Sequence, residues 1–196
     1  MKKSLGSIVL VLATVALAAC DGKVLYGQAD EPSIVFTQPL GTTIPGDPTQ
    51  TPITVPQGVV NFTFDVPDLP LTGGSTTSNQ SGFSIATMMR LNQAAFTMPP
   101  STNADFNGFD TVTLTIQSGS NTATIATYTK DPARLPGKTL VLQGAPNVEL
   151  LDYAAPGATG GKTITLSVSA TGTLPANQWT ADVDMDLHVK ATASWP

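Results

Sequence analysis

A single cysteine, Cys20, excludes any disulfide within this chain. Histidine is equally scarce, with His188 the only one. One thiol and one imidazole leave little for a zinc site or for a Cys-His nucleophilic pair. Charge is sparse as well, at 12% of residues, and its balance is acidic, with 9 Lys and Arg against 14 Asp and Glu. An acidic surface repels phosphate backbones, so a nucleic-acid partner is not expected. Such a surface also lacks a basic patch for anionic lipid headgroups. No apolar run reaches the roughly 20 residues that a membrane-spanning helix needs.

What the chain does have is β-forming and turn-forming chemistry. Threonine is its most abundant polar residue, and it carries 17 Gly and 16 Pro. Threonine suits the half-solvated face of a strand, whereas glycine and proline punctuate turns. The clearest pattern lies at the C-terminal end. Ile164, Leu166, Val168 and Ala170 alternate with threonines and serines. After a short loop at 173–177, Trp179, Ala181, Val183, Met185, Leu187, Val189, Ala191 and Ala193 alternate with polar residues. Two alternating runs joined by a short loop predict a long antiparallel hairpin with one dry and one wet face.

Upstream, Val60, Phe62, Phe64 and Val66 give another alternating strand. Shorter strands are expected at 33–38, 94–98, 111–117, 122–129 and 138–143, with one helical turn at 148–153. Residues 83–98 also fit a helical stripe, but the β context favours strand. Pro39, Pro45, Pro48, Pro52 and Pro56 make 39–58 a Pro-rich arm or edge segment, because proline cannot donate to a central ladder. Residues 67–82 read as a long loop rich in glycine, serine and threonine. The expected fold is all-β: a two-layer antiparallel β-sandwich, immunoglobulin-like or jelly-roll-like, of about 7–9 strands ending in the long hairpin.

The leader has three parts. Lys2 and Lys3 form a positive n-region, Leu5–Leu17 is apolar, and Leu17-Ala18-Ala19-Cys20 closes it. That run resembles the lipobox of bacterial lipoproteins, in which the cysteine takes a diacylglycerol and acyl chains such as palmitate. The resemblance implies a signal peptide at 1–19, lipidation of Cys20, and location in the cell envelope. There the chain would be anchored to the outer or inner membrane. Asp21 resembles an inner-membrane retention signal, a rule that varies between lineages. Two or more acyl chains anchor stably at about 0.8 kcal/mol per buried methylene. The alternative is an ordinary secretory leader in which Cys20 falls by chance. Residues 20–32 then form a lipidated tether, and 33–196 form the β-sandwich domain with its arm at 39–58. From Asp105 onward, an acidic Phe-containing turn, strands, Leu150-Leu151-Asp152-Tyr153 and a terminal hairpin resemble β-rich lipoproteins of Gram-negative envelopes. That resemblance rests on pattern and brings no activity with it.

Chemistry-bearing candidates each have a plainer alternative. Asp182, Asp184, Asp186 and His188 share one face of the last strand and are the candidate metal ligands. Same-face neighbours on a strand stand about 6.6 to 7 Å apart, so one ion could bridge two of them but hardly four. A charged solvent face explains them without an ion. Pro156–Thr163 nearly matches a phosphate-binding loop, but proline replaces its first glycine and a strand follows where a helix is needed. His188 could enter a Ser-His-Asp arrangement only with a distant serine. Asp105 with Asp110, or Asp65 with Asp68, are possible carboxylate pairs that also read as turn residues. Trp179 and Trp195 fall on the apolar parity and read as core or rim.

The functional expectation is therefore a lipid-anchored, non-enzymatic module. It would have no catalytic residue and no cofactor beyond the acyl group on Cys20, and it would meet an envelope protein partner. The alternative is a ligand-binding sandwich for calcium, a carbohydrate or a small apolar molecule.

Overall fold

The computed structural model describes residues 27–41, 43–66, 84–156 and 162–194. The leader 1–19, Cys20, the start of the tether, the 67–82 loop with Asp68, the glycine turn 157–161 and Trp195 lie outside the described residues.

The described chain is all-β. Its strands are β1 (Gly27–Pro39), β2 (Pro52–Val66), β3 (Ser84–Thr97), β4 (Phe109–Ser118), β5 (Asn121–Thr129), β6 (Thr139–Gly144), β7 (Ala155–Pro156), β8 (Lys162–Thr173) and β9 (Asp182–Ser194). One 3-10 turn, Leu150–Tyr153, falls between β6 and β7. The strands form a curled antiparallel sheet in the order β1-β9-β3-β6-β5-β4-β8-β2, with β7 paired to β8 alone.

Alternation places the core. Along β2, Val60, Phe62 and Phe64 are buried while Asn61, Thr63 and Asp65 are exposed. Phe62 sits opposite Leu166 and Phe64 opposite Ile164 on β8. Leu114 and Ile116 of β4 lie opposite Val168 and Leu166. Along β9, Val183, Met185, Leu187 and Val189 are all buried. Each such side chain contributes about 1.5–3 kcal/mol by leaving water. Outward threonines pair across strands, with the hydroxyls of Thr111 and Thr171 2.6 Å apart.

Among the described strands the register shifts in three places, one of them between Phe109 and Thr111 of β4 opposite β8. Leu114 pairs with Ala126 but Thr115 with Thr124, so Ile125 is inserted. An extra residue bends the strand and lets both Ile125 and Ala126 face inward. In β2 the register jumps between Val55 and Val60 opposite β8. Gly58 there adopts φ +90, and its N–H donates to Ser167 Oγ at 2.8 Å. Pro52 and Pro56 are tolerated because β2 ends the sheet order and, among the described strands, pairs with β8 alone.

The expected terminal hairpin is not formed. β8 lies between β4 and β2, whereas β9 lies between β1 and β3. The connection between them is no tight turn. It carries the buried Leu174, Trp179 and Ala181, and Trp179 forms a β-bridge with Ile44. Alternation specifies which face of a strand is dry and is silent on which strand lies beside it. Three further elements exceed their expected bounds. β1 begins at Gly27 rather than at 33, β3 covers the ambiguous stretch from Ser84, and the last part of the Pro-rich arm, from Pro52, belongs to β2.

Backbone contacts divide the chain into two units, one of Met1–Asp30, Asp68–Thr87 and Lys190–Pro196, the other of Glu31–Pro67 and Met88–Val189. In the first, Lys190 Nζ stands 4.0 Å from Asp30 Oδ2, a surface pair of small energetic value. In the second, the strands at the two ends of the sheet order meet. The Phe36 and Phe64 rings touch edge to face at 5.9 Å, and Gln38 Nε2 donates to the Thr63 carbonyl at 3.2 Å.

Candidate functional site

The outward face of β9 is tied to its neighbours by side chains. Asp184 Oδ1 accepts from Thr37 Oγ1 at 2.5 Å. Asp186 Oδ1 accepts from Ser33 Oγ at 2.7 Å and from Asn92 Nδ2 at 3.3 Å. Asn92 Nδ2 also donates to the Pro32 carbonyl at 2.7 Å. The two carboxylates thus hold β1 and β3 to β9. Asp182 is exposed and His188 half-buried on the same parity. Among the described residues, no three His, Cys, Asp or Glu side chains gather closely enough to hold a metal ion.

The other sequence candidates separate. Asp105 closes a local turn, with Oδ1 accepting from the Asn107 N–H at 3.0 Å and Oδ2 from Asn107 Nδ2 at 2.9 Å. Asp110 instead pairs with Lys130 Nζ at 3.2 Å. Asp65 is an exposed residue of β2 opposite Thr163. Pro156 and Lys162 pair as the ends of β7 and β8, and strand follows Lys162 where a phosphate loop needs a helix. Trp179 is buried, with its ring edge-on to Phe106 at 5.5 Å and to Phe109 at 6.1 Å.

These three rings line an apolar cavity of about 30 Å³. Ligand pockets commonly enclose about 300–1,000 Å³, so a small apolar molecule would enter this cavity only if its lining repacked.

A larger recess lies on the loops beside this cluster. Three segments, around Gln50, 103–108 and 173–177, enclose a polar cleft of about 250 Å³. Each segment is fixed by named bonds. The Asp47 carboxylate accepts from the Thr49 N–H at 2.9 Å and the Thr49 hydroxyl at 2.6 Å. These bonds, with a further one from Thr51, hold its pKa below the ordinary carboxylate value. Gln50 follows at φ +53, the one non-glycine residue with positive φ among those described. Its Nε2 donates to the carbonyls of Asp47 and Leu174, both at 2.8 Å. Lys138 Nζ donates to the carbonyls of Pro100 at 2.7 Å and Thr102, which secures the loop ahead of Asn103. The backbones of Gly108 and Thr173 meet, with the Thr173 N–H donating to the Gly108 carbonyl at 2.7 Å. A Cβ on Gly108 would collide with the Thr173 carbonyl, so only glycine permits this wall.

Asn103, Asp105 and Asn177 present exposed polar side chains to the cleft, and Leu174 and Pro175 supply a buried apolar side. Among the described residues, no Lys or Arg lines it. The acidic turn and the 173–177 loop are both visible as loops in the sequence, but their meeting with Gln50 is a property of the tertiary fold. Their only local signal is the density of Asn, Asp, Gly and Pro.

The chain matches no family model, no curated protein and no solved structure.

Proposed function

We propose that this chain is a lipid-anchored, non-enzymatic β-domain of the bacterial cell envelope that serves as a structural or protein-interaction module. The observation that carries the proposal is the order Lys2-Lys3, apolar Leu5–Leu17, then Leu17-Ala18-Ala19-Cys20. Export, cleavage before Cys20 and acylation follow from that resemblance. Acyl chains then confine the domain to a membrane surface and raise its effective concentration for an envelope protein partner. In the same proposal the curled sheet closes as a two-layer sandwich, immunoglobulin-like or jelly-roll-like. The Phe36–Phe64 contact between its two end strands supports closure of that kind.

Mass spectrometry of the membrane-extracted protein tests the anchor. The mature N-terminal peptide should begin at Cys20 and carry a diacylglyceryl mass, and Cys20→Ala should lose both the mass and the membrane fraction. An unmodified Cys20 in the secreted protein would overturn the reading. Crosslinking in intact membranes then tests the partner: the wild type should capture a specific envelope protein that Cys20→Ala does not.

A further inference from the structure

The geometry points to the cleft between Gln50, the 103–108 turn and the 173–177 loop as a binding site for a neutral, hydroxyl-rich ligand, a saccharide. This inference goes beyond the anchored-module proposal and does not rest on it, because the cleft is complete without the leader.

The chemistry of the lining selects the ligand class. Asn103 and Asn177 each offer a carbonyl acceptor and an NH₂ donor, the combination that vicinal hydroxyls match as donor and acceptor together. Neither side chain makes a hydrogen bond to another described residue, and both face solvent across the cleft. The Asp105 carboxylate is oriented by Asn107, yet each of its oxygens keeps lone pairs to accept from a hydroxyl. Half-buried Ala104 and exposed Ala176 supply the accessible apolar surface on which the C–H face of a sugar ring can rest, beside the buried Leu174 and Pro175. The absence of Lys and Arg from the lining among the described residues disfavours a phosphate or a carboxylate ligand. A single carboxylate, already bonded twice within its own turn, disfavours calcium, which takes six to eight oxygens and usually several carboxylates.

The build of the site points the same way. Gln50 holds a left-handed backbone conformation that is strained for a non-glycine residue and that persists where surrounding structure imposes it. The structure that imposes it is the set of bonds joining the first and third loops: Gln50 Nε2 to Leu174 O, and the Asp47 N–H to Pro175 O at 2.9 Å. Strain held by cross-tied loops at the end of a rigid sheet is the arrangement of a preorganised binding rim. The volume of about 250 Å³ lies just below the usual range of about 300–1,000 Å³ for ligand pockets, which suits a single sugar ring rather than a polymer groove.

The test is calorimetric titration of the full chain in a detergent without a sugar headgroup. The probes are neutral hexoses, N-acetylhexosamines and their disaccharides, with calcium chloride and inorganic phosphate titrated separately. At least one saccharide should saturate, and Asn103→Ala and Asn177→Ala should each weaken it by about tenfold or more, the loss expected for one or two hydrogen bonds. Both positions are exposed, so the variants should fold, and an unchanged melting temperature verifies it. Asp182→Ala, on the outer face of β9, should bind as the wild type does. Three outcomes would overturn the inference: no saccharide binding up to roughly tens of millimolar, binding undiminished in both asparagine variants, or saturable calcium binding abolished by Asp105→Asn. The Cys20→Ala chain gives the same titration under this inference, so failure of the anchor proposal and failure of the cleft are read separately.

Discussion

Glu149 shows how much one side chain can hold together. Its Oε1 accepts the N–H of Met89 in β3 at 2.6 Å and the N–H of Leu151 in the 3-10 turn at 3.4 Å. Met89 is fully buried, so its amide has no recourse to water. Glu149→Ala should therefore cost about 1–3 kcal/mol, the penalty of leaving a buried donor unpaired. Partial burial raises the pKa of Glu149 despite the two amides that favour its charged form. A folded-state pKa above the unfolded one makes its contribution present below the ordinary carboxylate pKa and lost as pH rises through the raised value. Urea denaturation across mildly acidic pH should show the stability of the wild type, relative to Glu149→Gln, falling as pH increases. Asp47 has the opposite sign. Its lowered pKa, due first to the Thr49 hydroxyl, gives a contribution present above the ordinary value and lost as pH falls through the lowered one. It is exposed, so the effect belongs to local order in the Gln50 loop. No sequence pattern marks Glu149 as a cap on two elements sixty residues apart, because its partner at Met89 is set by tertiary placement.

At the scale of the element, the acidic face of β9 separates what alternation can say from what it cannot. The parity of Val183, Met185, Leu187 and Val189 against Asp182, Asp184, Asp186 and His188 is legible in the sequence because a strand repeats every two residues. That Asp184 and Asp186 are satisfied by Thr37, Ser33 and Asn92 is not legible, since β1 and β3 are brought to β9 from far away in the chain. The consequence is unequal sensitivity along one face. Asp186→Ala removes an acceptor for two donors and should cost about 1–2 kcal/mol, whereas Asp182→Ala, exposed at the strand start, should stay within about 0.5 kcal/mol. Chemical denaturation of both variants, with and without a chelator, measures it. Equal effects, or a wild type that loses stability on chelation, would restore the reading of this face as a metal site. The polar cleft belongs to the same class of features: its residues read as turns singly, and their convergence requires the crossing of the chain between β8 and β9. The β-rich class was legible because Thr, Val and Ile patterning is local, and the neighbour order was not because it is global.

At the scale of the whole molecule, the position of β9 in the sheet order governs how the chain folds. β1 pairs with β9 across more than 150 residues, as the Ser33–Asp186 bond shows. β9 also supplies the other neighbour of β3. Had β8 and β9 formed a terminal hairpin, deletion of β9 would have removed one strand from an edge and left the remainder paired. In the observed order it strips β1 of its paired neighbour among the described strands, leaving the Phe36–Phe64 and Gln38–Thr63 contacts to β2, and turns β3 into an edge. It also removes the buried faces of Val183, Met185, Leu187 and Val189 at about 1.5–3 kcal/mol each, which approaches or exceeds the 5–15 kcal/mol that a domain typically holds. A chain ending at Thr180 should therefore lose cooperative thermal unfolding and proton chemical-shift dispersion altogether. A truncated chain that still melts in one sharp transition would show that the sheet does not depend on β9. The same long-range pairing predicts slow refolding, in the millisecond-to-second range of non-local β topologies. Leu187→Ala should reveal how early β9 docks. Stopped-flow kinetics should show that its destabilisation of about 2–5 kcal/mol mainly speeds unfolding, because closure across so long a loop is expected after the local β4–β5 hairpin has formed. A loss expressed mainly as slower folding would place β9 in the nucleus instead.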